Sequence, residues 1–244
     1  MFIGVLFTAF VATLLSSMSG AGAAILTTPI WLALGFPLPV VIATSQLNGA
    51  FWTPIAARNY LRGIPVDWAL VGGMISFGLV GAYGGTVIVR YADAHLLQRI
   101  IGLIILMLVV IVWHNKSLGS SATEPRLSRL STSSLAFPLG AYETFFGSGN
   151  GLFTSSLLSK TRGLPLLTSL GHYYILSFAW NCFAVYIYIS SGYGDSNLMI
   201  PSTIGSVLGA YIGSHIGRKK GHGFVRVFFL VLGGILGLKL VLGL

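Results

Sequence analysis

Few side chains in this 244-residue chain can do chemistry. Two short stretches stand out, Ser16-Ser17-Met18-Ser19-Gly20-Ala21-Gly22 and Gly147-Ser148-Gly149-Asn150-Gly151. Each sets hydroxyl or amide groups beside glycine inside apolar sequence. Glycine lets a backbone approach a ligand closely. A helix that starts after such a break offers free N–H groups and the positive end of its dipole, which suit an anion. Ser19, Gly20 and Gly22 in the first stretch with Thr27 after it, and Gly147, Ser148, Gly149 and Asn150 in the second, are therefore expected to contact a small anion. Polar residues in the next apolar run extend each set: Thr44, Gln46 and Asn48 with Trp52 after the first, His172, Tyr173 and Asn181 after the second. Amides and imidazoles at membrane depth face the bundle interior. Two structural alternatives stand beside this reading. Gly, Ser and Thr also serve close helix packing, and Trp52 and Trp180 can be interfacial anchors rather than cavity walls.

Glu143 is the only acid expected deep inside an apolar run. Such a carboxyl either carries a coupled proton or holds the second break together by hydrogen bonds. His172 is the other candidate for proton coupling. Asp67 and Asp195 stand at helix starts and are expected to cap them. No catalytic residue and no cofactor is expected. The one cysteine, Cys182, excludes an internal disulfide and a cysteine-type zinc site. No Gly-x4-Gly-Lys-Ser/Thr loop is present, so ATP drive has no support in the chain. An intramembrane serine protease, with Ser19 or Ser148 activated by His172 or His215, is the enzymatic alternative. A passive anion channel would share most of the same residues.

The elements that must position these groups follow from composition. Hydrophobic residues make up 55%, charged residues 8%, and the mean hydropathy is +0.86. A soluble domain carries roughly 25% charged residues. No charge occurs from Met1 to Ala57, and further charge-free runs cover Trp68–Val89, Ile100–Asn115, Gly163–Gly194 and Ser196–Gly217. A helix of about 20 apolar residues crosses a bilayer, and the runs lack the alternation of a membrane β-barrel. The chain is therefore expected to be an all-α polytopic membrane protein with the lipid bilayer as partner. The net charge of +9 reads as topology rather than nucleic-acid binding. The amino terminus lacks the basic start of a secretory signal, so Phe2 onward is expected in the mature protein.

Expected helical runs are Phe2–Leu34 with its break, Leu38–Leu61, Trp68–Val89 and Leu96–His114, then Ser134–Ser159 with its break, Leu166–Ile189, Leu198–Gly217 and Phe224–Leu242. A shift of 128 positions lays Gly35, Pro37, Trp52, Tyr60 and Asp67 on Gly163, Pro165, Trp180, Tyr188 and Asp195, and Gly81-Ala82-Tyr83 on Gly209-Ala210-Tyr211. The glycine breaks coincide with a slip of about one residue. Two repeats are expected, 1–115 and 133–244, joined by a cytoplasmic linker at 116–132.

Basic residues choose between parallel and inverted repeats. If each broken stretch enters and returns on one side, eleven residues share a face: Arg58, Arg62, Lys116, Arg126, Arg129, Lys160, Arg162, Arg218, Lys219, Lys220 and Arg226. Three oppose them, Arg90, Arg99 and Lys239. Each repeat is then a glycine-tipped hairpin, re-entrant or two short spans, plus three transmembrane helices. The odd number of crossings inverts the repeats and puts both termini outside. Two breaks at equivalent places in inverted repeats point to a central site worked by alternating access.

The sequence also resembles the TauE/SafE family of sulfite and organic-anion permeases. The resemblance spans essentially the whole chain. It rests on Ser19-Gly20-Ala21-Gly22-Ala23-Ala24-Ile25-Leu26-Thr27-Thr28-Pro29, Gly35-Phe36-Pro37, Ala43-Thr44-Ser45, Ile64-Pro65-Val66-Asp67-Trp68 and Gly81-Ala82-Tyr83-Gly84-Gly85, with a weaker copy after the linker. The order and spacing of these glycine patterns carry it. Two departures stand out: Ala23-Ala24 replaces the family's usual glycine run, and Gly147–Gly151 has little of the usual proline sequel. The resemblance implies a permease of the bacterial cytoplasmic membrane for sulfite, sulfonates or small carboxylates.

Overall fold

The computed structural model describes residues 1–91 and 122–242, with helical positions at 99–100, 102–103, 106–107, 109–110 and 113–114 between them. The expected span Leu96–His114 and the linker 116–132 lie partly outside the described residues. Lys116 and the side chains of Arg90 and Arg226 lie wholly outside them.

Every described element is helical. The helices are α1 (Phe2–Ser19), α2 (Ala24–Ala33), α3 (Leu38–Leu61), α4 (Trp68–Tyr91), α5 (Arg129–Ser134), α6 (Ala136–Phe145), α7 (Asn150–Arg162), α8 (Leu166–Ser190) and α9 (Ser196–Leu242). The last is interrupted at Gly221, with φ 80° and ψ −174°. Three helices among the described residues, Phe2–Ser19, Trp68–Val87 and Leu166–Ser190, are long and apolar enough to cross a membrane. Large apolar side chains such as Phe7, Phe51, Val80, Tyr186 and Leu208 are exposed around the bundle, as a lipid-facing surface requires. The protein is an all-helical membrane protein. α3 has the length of a span, but Ser45, Gln46 and Asn48 lower its hydropathy.

Local chemistry explains where the helices start and stop. Pro37 and Pro165 stand in extended backbone just before α3 and α8, where a missing N–H costs nothing. Asp67 accepts from the Leu70 N–H at 3.2 Å and caps α4. Asp195 accepts from the Asn197 N–H at 2.8 Å at the start of α9. The first break is shorter than expected, since Ser16–Ser19 remain helical and the turn covers residues 20–23. In the second, Asn150 and Gly151 already belong to α7.

The two halves of the chain pack across each other. α1 lies along α9, α6 along α4, and α3 against α8. Glycine sets the distance in the first two pairs. Gly205, Gly209 and Gly213 of α9 lie over the carbonyls of Leu6, Phe10 and Leu14, so these helices run parallel. Gly81 and Gly85 of α4 lie in the same way over the carbonyls of Phe137 and Ala141. A Cβ at any of these positions would meet backbone, which is why small residues mark such seams. α3 and α8 run antiparallel, with Gly49 against Asn181 and Leu61 against Gly171.

The first hairpin, α1–α2, brings Trp31 back beside Val5 and Ala9, so its arms open toward the same end of the bundle. The base of the second hairpin, α5–α7, lies at the opposite end. There Arg129 pairs with Asp67 at 2.8 Å, Arg162 donates to the Leu127 carbonyl at 2.6 Å, and Arg218 donates to the Arg62 carbonyl at 2.9 Å. Arg62, Arg129, Arg162 and Arg218 thus gather at one end. Partial burial pushes the Asp67 carboxyl up. The Arg129 hydrogen bond, the Leu70 N–H and the charges of Arg129 and Arg162 outweigh it and hold the group below its ordinary value.

Candidate functional site

A helix that stops inside a bilayer leaves its last carbonyls without partners, and no water is there to take them. Donors from the two central helices meet this need at both breaks. At the end of α1, the Tyr60 hydroxyl donates to the carbonyls of Ser17 at 2.9 Å and Met18 at 3.2 Å. The Tyr174 hydroxyl donates to those of Ser16 at 3.3 Å and Ser17 at 3.2 Å. At the end of α6, Gln46 Nε2 donates to the carbonyls of Glu143 at 2.9 Å and Thr144 at 3.2 Å, and the Tyr188 hydroxyl to that of Thr144 at 3.0 Å. Each broken helix therefore ends on one donor from α3 and one from α8.

The tips of the two hairpins touch. The Gly149 N–H donates to the Ala21 carbonyl at 2.6 Å. Gly22, at φ 85°, lies so close to Ser148 that a Cβ would stand 2.5 Å from the Ser148 Cα. Only glycine tolerates both that dihedral and that approach. Gly20 meets Gly151 in the same contact.

Beside this contact lies a chamber of about 40 Å³. One wall is the tip of the first hairpin, Gly22, Ala23, Ala24 and Thr27. α3 contributes Ser45, Gln46, Asn48, Gly49 and Trp52, and α8 contributes Tyr173, Ser177 and Asn181. Glu143, Phe146 and Gly147 come from the second break and Ser206 from α9. The N–H groups of Gly22, Ala23 and Ala24 meet no acceptor among the described residues. Asn48 Oδ1 accepts from Thr203 Oγ1 at 2.9 Å and Ser202 Oγ at 3.2 Å. That orientation makes Nδ2 the amide atom left for the chamber. Ser45 Oγ and Gln46 Oε1 are buried without a partner among the described residues.

Glu143 is 4% exposed and acts as an acceptor on every side. Asn150 Nδ2 donates to Oε2 at 2.6 Å, the Tyr173 hydroxyl to both oxygens at 3.1 and 3.2 Å, and Ser177 Oγ to Oε1. Asn181 Nδ2 in turn donates to Ser177 Oγ at 2.9 Å. The carboxyl joins α6, α7 and α8.

Several expected site residues line the chamber: Gly22, Thr27, Gln46, Asn48, Trp52, Glu143, Gly147, Tyr173 and Asn181. Others hold the tips or their own helices. Ser19 Oγ donates to the Leu15 carbonyl at 2.9 Å and accepts from the Ala21 N–H at 3.2 Å. Thr44 Oγ1 donates to the Val40 carbonyl at 2.8 Å. The Ser148 carbonyl accepts from Tyr142, Gly20 and Gly149 form the tip contact, and Asn150 anchors Glu143. His172 Nδ1 bonds the Thr168 carbonyl at 2.8 Å, and the ring does not line the chamber. Trp52 walls the chamber, whereas Trp180 packs on Gly78 of α4. Both are buried in protein, so neither is an interfacial anchor. Ala23, Ala24, Ser45, Gly49, Phe146, Ser177 and Ser206 are lining residues outside the expected set. Helical spacing holds the signal for some of them, since Ser45 and Gly49 share a face, as do Tyr173, Ser177 and Asn181.

A "Probable membrane transporter protein" of Haemophilus influenzae is 24% identical over 95% of this chain and 91% of its own. The "Probable membrane transporter protein YfcA" of Escherichia coli K12 is 24% identical over 98% of this chain and 89% of its own. No solved structure gives a significant match. Residues 5–240 match the family described as sulfite exporter TauE/SafE, and with nearly its whole length covered the chain belongs to that family of membrane transporters.

Proposed function

We propose that the protein is a secondary carrier that moves a small anion, sulfite or a related sulfur or carboxylate anion, across the bacterial cytoplasmic membrane by alternating access. The observation that carries this reading is the meeting of the two hairpin tips beside a polar chamber, sealed by the hydrogen bond from Gly149 to Ala21. The amino end of α2 supplies N–H groups and positive dipole, and Asn48 supplies an amide donor. A chamber of about 40 Å³ holds on the order of three waters. That size favours a compact oxyanion over a long sulfonate in this state.

The antiparallel pairing of α3 with α8, and the opposite entry of the hairpins, support two inverted repeats, 1–115 and 133–244. Rocking of one set of helices against the other would then expose the chamber to each side in turn. The gathering of Arg62, Arg129, Arg162 and Arg218 at one end supports a cytoplasmic placing for that end, with both termini outside. Of the two candidates for proton coupling, Glu143 lines the chamber and His172 stands apart from it. The protease alternative gains no support: among the described residues neither Ser19 nor Ser148 bonds a histidine, and Ser19 is committed to its own helix.

Counterflow in proteoliposomes tests the proposal. Radiolabelled sulfite is expected to exchange saturably against internal sulfite, and Asn48→Asp, which keeps an oxygen for Thr203 and Ser202 and removes the amide donor, is expected to weaken exchange at least tenfold. Linear, unsaturable flux would mean a channel. If sulfite, sulfate, thiosulfate, taurine, lactate and oxalate all failed to exchange, the carrier reading would fall. Exchange that ignored a pH gradient, or kept its pH dependence in Glu143→Gln and His172→Ala, would remove proton coupling alone.

A further inference from the structure

A second concavity lies away from the chamber, at the seam of α3 and α8. Pro54, Ala57 and Leu61 of α3, Val66 of the following turn, and Ile175 and Phe178 of α8 line a groove of about 270 Å³. Among the described residues of its lining, Arg58 is the one charged group. Pro54, Arg58 and Phe178 are exposed, so the groove opens to the outside of the bundle rather than toward the hairpin tips. Arg58 has no ion-pair partner among the described residues, whose ion pair is Arg129 with Asp67. Its neighbour Asn59 is engaged, donating to Ser214 Oγ at 2.8 Å and tying α3 to α9.

We infer that this groove is a binding site for an anionic phospholipid, with one acyl chain against the apolar walls and the phosphate on Arg58. The occupant must be apolar along its length and anionic at one tip. It must also reach a groove that opens on the lipid-facing side of two central helices. An anionic lipid meets all three conditions. Arginine suits the task because its stem covers apolar surface while the guanidinium forks onto phosphate oxygens. The position agrees, since Arg58 stands one turn before Arg62, at the end where Arg129, Arg162 and Arg218 also gather. Basic pockets between spanning helices at such an end take anionic head groups. A second copy of the chain is a poor occupant, because seven lining side chains fall far below the roughly 800 Å² per partner of a stable interface.

The test uses the purified full chain in detergent, with phosphatidylglycerol or phosphatidylcholine of identical acyl chains added. Phosphatidylglycerol is expected to raise the apparent unfolding temperature by about 3 °C or more above phosphatidylcholine. Arg58→Gln is expected to abolish that difference, while Arg62→Gln keeps it. Ala57→Trp, which fills the groove and leaves the charge, is expected to abolish it as well. Native mass spectrometry is expected to show one retained phosphatidylglycerol, lost in Arg58→Gln. Equal stabilisation by both lipids overturns the inference, and so does equal loss in Arg58→Gln and Arg62→Gln, which would mean a diffuse field. A dimer that dissociates in Ala57→Trp whatever the lipid would assign the groove to a second copy instead.

Discussion

The two hairpins use one backbone device and different side chains. Both first arms end in left-handed glycine, Gly20 and Gly147, and both have their last carbonyls taken by a donor pair from α3 and α8. Beyond that they diverge. A shift of 127 positions sets Glu143 of the second hairpin on Ser16 of the first, and Asn150 and Gly151 on Ala23 and Ala24. The Glu143 carboxyl gathers Asn150, Tyr173 and Ser177, whereas Ser16 Oγ is buried without a partner among the described residues. The second hairpin is pinned to α8 by side chains; the first is held by its backbone. Ala23 lines the chamber at the position where the second hairpin carries Asn150, whose amide turns instead to Glu143 and the Leu139 carbonyl. One backbone device thus serves hairpins with different side-chain roles.

The largest expected effect tests the anchor. Glu143→Ala takes the acceptor from the buried Tyr173 and Ser177 hydroxyls and leaves Asn150 Nδ2 only the Leu139 carbonyl, a loss of about 3 kcal/mol, while Ser16→Ala removes a hydroxyl unpartnered among the described residues and is expected to be close to neutral. Thermal unfolding of the two purified variants measures the contrast, and equal losses would end it. Next comes Gly22→Ala, which forces a Cβ onto Ser148 at a left-handed φ and is expected to cost about 2–3 kcal/mol. Thermal unfolding of the purified variant measures the loss, and an unchanged midpoint would mean that the contact tolerates bulk.

A smaller pair of variants probes what the hairpins share. Tyr60→Phe and Tyr188→Phe each remove one hydroxyl from a helix-end carbonyl and are expected to cost about 1 kcal/mol each. A loss confined to one of them would make the shared device unequal. The smallest effect belongs to the exposed base of the second hairpin. Asp67 is held below its ordinary 3.8, so its ionised form stabilises the fold above that pH and the contribution disappears as pH falls through the folded value. Asp67→Asn is expected to cost under about 1 kcal/mol at neutral pH and to flatten the acid limb of the stability profile.

Much of the fold was readable from residues alone. Leu38–Leu61 forms over the expected range, and Asp67 and Asp195 cap the helices that follow them, because apolar length and capping chemistry act locally. Glycine breaks were legible too, although α1 runs on through Ser19, since helix propagation continues until Gly20 adopts its left-handed φ. The site was legible only in part. Thr44 and Gln46 look equally suited to bind a ligand, yet Thr44 bonds its own helix while Gln46 reaches the end of α6. Spacing places both in α3 and does not report the rotation of that helix against its neighbours.

From its residues alone this chain is a bundle of apolar helices with two glycine breaks, because burial in lipid and the absence of a Cβ are properties of local sequence. Packing across the halves decided the rest. It brought Gly149 to Ala21, turned Trp52 toward the chamber and Trp180 toward α4, and set the Tyr174 hydroxyl on the end of α1. Those outcomes depend on which faces meet across more than a hundred residues of chain, and no local preference encodes that.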